Sequence, residues 1–176
     1  MAQQIAPPLR GGPGEARNPV PQHWELKQAY AAYSFNLRPT VLLTLTVREP
    51  KGSSGSWRVS ESVLIKKANL LLLWINADLF GRKFLKNGLG FKGFGCIEEQ
   101  ANHQPHAHLA ITTPMPPKRF QRFRKALHQK IKKIDLFEST GTDIRLINGD
   151  DIDYWRVGNY VAKDGHMITL GPEGIW

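Results

Sequence analysis

The stretch Gly90 to Thr113, GFKGFGCIEEQANHQPHAHLAITT, holds two short apolar runs either side of a turn, and its reading decides the fold. The first run, GFKGFGCIEEQ, reads as a strand. The second, His106 to Thr113, reads as another, and the turn-forming residues Asn102 to Pro105 fold one onto the other. His106 and His108 are separated by a single residue, so in a strand both imidazoles point to the same side. A turn centred on His103 sets Glu98 opposite His108 and Gln100 opposite His106. A turn centred on Asn102 sets Glu98 opposite His106 instead. Either register brings Glu98, His106 and His108 to one face of the hairpin.

Outward from this hairpin the pattern reads strand 40–48, helix about 60–85, strands 90–100 and 105–113, helix 117–134, strand 143–148 and helix 151–163. That order, βαββαβ followed by a helix, predicts an α+β fold of the split βαβ kind, ferredoxin-like or RRM-like. It is an antiparallel sheet with helices packed on one face. The other face is left for the hairpin histidines and the last helix. Residues 1 to 22 are rich in proline and glycine with few bulky apolar groups, and the expectation is a flexible tail over 1–38 and one domain over 39–176. At 176 residues and 41% apolar content, the chain can bury a core of its own.

Two neutral imidazoles and a carboxylate suit a divalent cation that also holds a phosphate oxygen. The plain alternatives are a chance histidine pair on a strand, or a metal-binding regulator that adds His103. The last helix supplies a second group. Asp150 and Asp151 read as its start, Tyr154, Val157, Gly158 and Val161 as its buried side, and Arg156, Tyr160 and Lys163 as a polar face. A phenol ordinarily ionises near pH 10, at about 10. It becomes a useful nucleophile where a cation such as lysine or a metal favours the phenolate.

A net charge of +9 points to a polyanionic partner. Much of it gathers in helix 117–134, where Lys118, Arg119, Arg122 and Lys125 flank an apolar stripe of Phe120, Phe123, Leu127 and Ile131. The stripe is core by its spacing. The cations, with Arg156, are the candidate phosphate contacts. A single cysteine, Cys96, excludes an intramolecular disulfide and a cysteine-rich zinc site, fits a reducing compartment, and reads as a small buried thiol. LLLLWI at 70–75 is too short to span a bilayer, so no membrane partner is expected.

In combination, Glu98, the His106-Ala107-His108 pair and the later Tyr160-x-x-Lys163 resemble the HUH endonucleases, specifically the single-tyrosine Rep proteins that initiate rolling-circle replication. Val41 to Val47, VLLTLTV, stands where that family has an apolar, threonine-rich first motif. Glu98 stands eight residues before the first histidine, as the third ligand does in viral Reps similar to geminivirus Rep. YVAKDG is similar to their tyrosine motif, and the resemblance covers roughly residues 40 to 171. It implies Mg²⁺ or Mn²⁺ on Glu98, His106 and His108, with Gln100 as a further ligand or a support to the ligands. Tyr160 would be the nucleophile, assisted by Lys163, and single-stranded DNA at a replication origin the substrate. The implied reaction is nicking and joining through a 5′-phosphotyrosine.

Relaxases are less similar, because their tyrosine precedes the histidines and a third histidine is missing here. Single-tyrosine transposases of the same superfamily are an alternative, although they commonly pair the tyrosine with glutamine. From another class, a non-catalytic nucleic-acid-binding module would share the basic charge and need neither metal nor tyrosine. No helicase segment follows Asp164 in the sequence, so the expectation is either a piece of a longer protein or a replicon that borrows a host helicase. The compartment would be the cytoplasm for a bacterial plasmid or phage, and the host nucleus for a eukaryotic virus.

Overall fold

The computed structural model describes residues 23–49, 58–99, 104–147, 149–161 and 167–175. The alternation in VLLTLT makes β1, Val41–Thr46: Val41, Leu43 and Leu45 are fully buried on one face, and Leu42, Thr44 and Thr46 alternate onto the other. In α2, Glu61–Phe80, Ser60 caps the N-terminus by accepting from the Val63 N–H. Gly81, at φ +86°, ends the helix earlier than the expected residue 85, and its N–H returns to Ala77 O.

The hairpin strands are β2, Gly93–Glu99, and β3, Pro105–Ile111. Helix α3, Pro117–Ile131, starts on a proline and buries Phe123, Ala126, Leu127 and Ile131. Strand β4 is Asp143–Leu146 and helix α4 is Asp151–Val161. The Asp150 carboxylate accepts from the Asp153 N–H at 2.6 Å, so the aspartates begin the last helix as their sequence position predicts.

The six strands form one antiparallel sheet in the order β4-β1-β3-β2-β5-β6, where β5 is Ile168–Gly171 and β6 is Gly174–Ile175. Both β1 and β2 are antiparallel to the β3 between them, and β3 and β4 flank β1 in the same way. These are the two split βαβ units expected from the element order. Helices α2 and α3 cover one face, where Leu64, Leu71, Ile75 and Phe123 meet Val41, Leu43, Leu109 and Ile111. Full burial of each such side chain is worth about 1.5–3 kcal/mol. On the other face, Tyr154, Val157 and Val161 of α4 pack on Leu42, Phe94, Cys96 and Ala110.

One boundary needs correction. The tail expected over residues 1–38 includes a helix, α1, His23–Leu37, which packs on α4 and belongs to the domain. Ala31 and Ser34 are buried there, Tyr33 packs edge-on against Phe94, and Phe35 stacks on Trp155. The buried side of α1 rests on small residues, so its sequence shows little amphipathic contrast. Residues 1–22 lie outside the described part.

Candidate metal and tyrosine site

Strand pairing sets Glu98 opposite His106 and Cys96 opposite His108, the register centred on Asn102. Glu98, His106 and His108 therefore share the α4 face of the sheet, between Thr44 and Thr46 of β1 and the end of α4. Both imidazole Nε2 atoms converge on Glu98 Oε1, at 2.6 Å from His106 and 2.8 Å from His108. All three residues are buried. Cys96 is buried too, as expected for a structural thiol.

The donor set fits a divalent cation. One carboxylate oxygen and two ring nitrogens lie within 4.8 Å of one another, a span that a single ion can bridge. The rings are also oriented for that purpose. His108 Nδ1 lies 3.0 Å from Thr44 Oγ1, which leaves Nε2 to face the cluster. His106 Nδ1 is buried with no hydrogen-bond partner among the described residues, so its Nε2 contact to Glu98 is what sets that ring. A carboxylate held this far from solvent is costly unless cations or N–H donors surround it.

Tyr160 reaches the same point from the helix. Its hydroxyl is 3.3 Å from His108 Nε2, and the two rings meet edge to face at 4.5 Å. The phenol is 41% exposed, so it stands where buried ligands give way to solvent. It lines a groove of about 320 Å³ with Leu42, Thr44, Asp143, Arg145 and Arg156. Arg156 is exposed and only 3.8 Å from Asp153, a contact that solvent screens. Tyr154 is buried, one turn and more away, and forms part of the core rather than a second nucleophile.

The structure thus brings Glu98, His106, His108, Tyr160 and Arg156 together. Gln100, His103 and Lys163 lie outside the described residues. Lys118, Arg119, Arg122 and Lys125 are elsewhere: α3 packs against α2, across the sheet from the cluster. Arg119 donates to Pro114 O and lies over the Phe80 ring, and Arg122 donates to Asp78 O. These two cations help dock α3 rather than face the tyrosine. Thr44 is legible in the sequence only as part of the threonine-rich run VLLTLTV, with no role of its own, and Arg145 not at all. The pairing of β1 with β3 and β4 places them, and a strand's neighbours cannot be read from its own residues.

No protein-family model, curated protein or solved structure matches this chain. Among the described residues, no helix is long and apolar enough to cross a membrane.

Proposed function

We propose that this protein cuts and rejoins single-stranded DNA by tyrosine transesterification, as an initiator of rolling-circle replication. The observation that carries the reading is the 3.3 Å approach of the Tyr160 hydroxyl to His108, one of the three residues that could hold a metal ion. A nucleophile beside a buried carboxylate and two imidazoles is an arrangement for attack on a phosphate. The order of the motifs, with Glu98 and the His pair before the tyrosine, supports the Rep class of that chemistry.

Glu98, His106 and His108 would hold Mg²⁺ or Mn²⁺, which supplies charge to neutralise and polarise the scissile phosphodiester. Tyr160 Oη attacks phosphorus and loses its proton. The new Oη–P bond replaces the bond to the 3′-oxygen, which takes up a proton and leaves as a free 3′-hydroxyl. The 5′-phosphate stays on Tyr160. Because one phosphodiester replaces another, a 3′-hydroxyl can reverse the attack and seal the strand. Arg156 and Arg145 border the groove and would pair with phosphates either side of the scissile one. Lys163 would orient the phosphate or stabilise its developing charge.

Covalent capture tests the reading. The protein is mixed with a randomised single-stranded DNA library and Mn²⁺, denatured, and examined for a species carrying attached DNA. A species that forms with the native protein and is lost in Tyr160→Phe supports the mechanism, and the trapped strands give the recognised sequence. Binding with no covalent species would favour a non-catalytic DNA-binding module instead.

A further inference from the structure

A second groove, of about 490 Å³, runs between α3 and β4. Arg124, Lys125, His128 and Gln121 of α3 line one side, with Ser139 and Thr142 opposite. Apart from Lys118, the lysines and arginines of α3 divide into two groups. Arg119, Arg122 and Lys130 are engaged with Pro114, Asp78 and the Phe80 ring, which fixes the helix to its surroundings. Arg124 and Lys125 are exposed, make no ion pair among the described residues, and face the groove.

This groove and the one at Tyr160 lie on either side of β4 and share one lining residue. Asp143 lines both, at the start of β4, and β4 is an edge strand of the sheet. Leu42 pairs with Arg145 and Leu43 with Ile144, so Arg145 turns toward Tyr160 and Ile144 toward α3. A chain lying over the edge of β4 would pass from Arg145 and Arg156 to Arg124 and Lys125. Four cations then face it against the carboxylate of Asp143, with Asp153 3.8 Å from Arg156.

We propose that the α3–β4 groove is a second subsite for single-stranded DNA, occupied by the strand whose other part lies in the Tyr160 groove. This extends the reading given above and rests on it for the identity of the polyanion. Charge favours this occupant over an acidic peptide or a second copy of the chain added to the β4 edge, since the regular spacing of phosphates along a strand serves both separated cation pairs. The charge of α3 acquires a role on this account, although the helix lies across the sheet from the metal ligands.

The test measures binding of oligo(dT) of about 8 and about 24 nucleotides, spanning the site sizes of small single-strand-binding domains. It is done in EDTA on the full chain carrying Tyr160→Phe. Two short oligonucleotides or one long one are expected to bind per protein. Arg124→Glu with Lys125→Glu should leave one short site, lower affinity for the long strand about 10- to 100-fold, and flatten its salt dependence by about 1.4 in slope. Arg124→Gln with Lys125→Gln should flatten the slope equally with a smaller loss. Asp143→Asn should tighten long-strand binding. Thermal melting of each variant confirms that it is folded, as expected for exposed side chains.

Long-strand affinity unchanged in both double variants would overturn the subsite. A single short site in the native groove, with equal losses for short and long strands, would overturn its connection to the Tyr160 groove. Failure of covalent capture would sink the nicking reading alone, because these binding measurements need neither metal nor the tyrosine.

Discussion

Thr44 Oγ1 lies 3.0 Å from His108 Nδ1, so a hydroxyl on one strand fixes which nitrogen its neighbour presents to the cluster. Cross-strand pairing sets the two residues side by side on β1 and β3. If His108 ligates a metal through Nε2, Thr44 holds the ring in the ligating orientation. Thr44→Val keeps the branched shape and removes the partner. Mn²⁺ affinity is expected to fall about 10- to 100-fold. The unsatisfied ring nitrogen should also lower stability by about 1–3 kcal/mol. Calorimetric titration with Mn²⁺ decides it: undiminished affinity would show that the ring is positioned without Thr44.

Glu98 is the shared acceptor of the two imidazoles, and this gives metal binding a readout independent of catalysis. A ligand that binds only the folded state at about a hundred times its Kd stabilises by about 2.7 kcal/mol. For a chain of this size that corresponds to a rise in Tm of about 5–10 °C. Mn²⁺ should produce this rise in the native protein, EDTA should reverse it, and Glu98→Gln should abolish it. A rise of the same size in Glu98→Gln would mean that the ion binds elsewhere.

The site was more legible than its supports. Period-two spacing put His106 and His108 on one side, and the turn residues brought Glu98 to them under either register. Which register holds depends on the turn around Asn102, where one residue of shift changes the partners without changing the trio. The last helix was legible because its buried positions, Tyr154, Val157, Gly158 and Val161, recur at helical spacing. Helix α1 was not, because Ala31 and Ser34 are its contact residues and small side chains mark no apolar stripe. An uninterrupted run without glycine or proline from His23 to Leu37 was the available signal. Strands β5 and β6 also went unread, although ITLGPEGI places a Pro-Glu turn between two apolar pairs. The α3 cations show the converse limit: their charge was plain, but the sequence could not say which were committed to α2.

Glu138 ties the segment after α3 to the sheet and gives a pH signature unrelated to the metal. Its carboxylate accepts from the Thr140 hydroxyl at 2.9 Å and from the Thr140 N–H at 3.3 Å, with Arg48 at 3.8 Å. The Thr140 hydroxyl, then its N–H, and more weakly the charge of Arg48 hold the carboxyl below its usual range. The folded state therefore favours the ionised form. That contribution is complete above the ordinary glutamate value and is lost as pH falls through the lower folded value. Urea unfolding should show Glu138→Gln to be less stable than the native protein at neutral pH, with the gap closing on acidification. The gap should be small, because the group is exposed. A gap that stays constant across the acid range would assign the effect to packing.

Gly158 faces Ala31 where α4 crosses α1, and the contact leaves no room for a side chain. A methyl there would lie 2.6 Å from Ala31 Cα, 2.8 Å from Ser34 Cβ and 2.9 Å from Ala31 O. Alanine favours a helix over glycine by about 1 kcal/mol, so an unhindered Gly158→Ala would stabilise α4. Here the clash is with backbone, and overpacking of this kind costs about 1–3 kcal/mol. Gly158→Ala is expected to lower stability in urea unfolding and, because α4 carries Tyr160, to reduce covalent capture as well. Asn159→Ala, on the exposed side of the same helix, should leave capture largely intact. A chain beginning at Pro39 should repeat the loss, since it uncovers Tyr154 and Phe94 where α1 lay. If Gly158→Ala is instead more stable and captures DNA as well as the native protein, the two helices can separate freely, and α1 does not position the tyrosine.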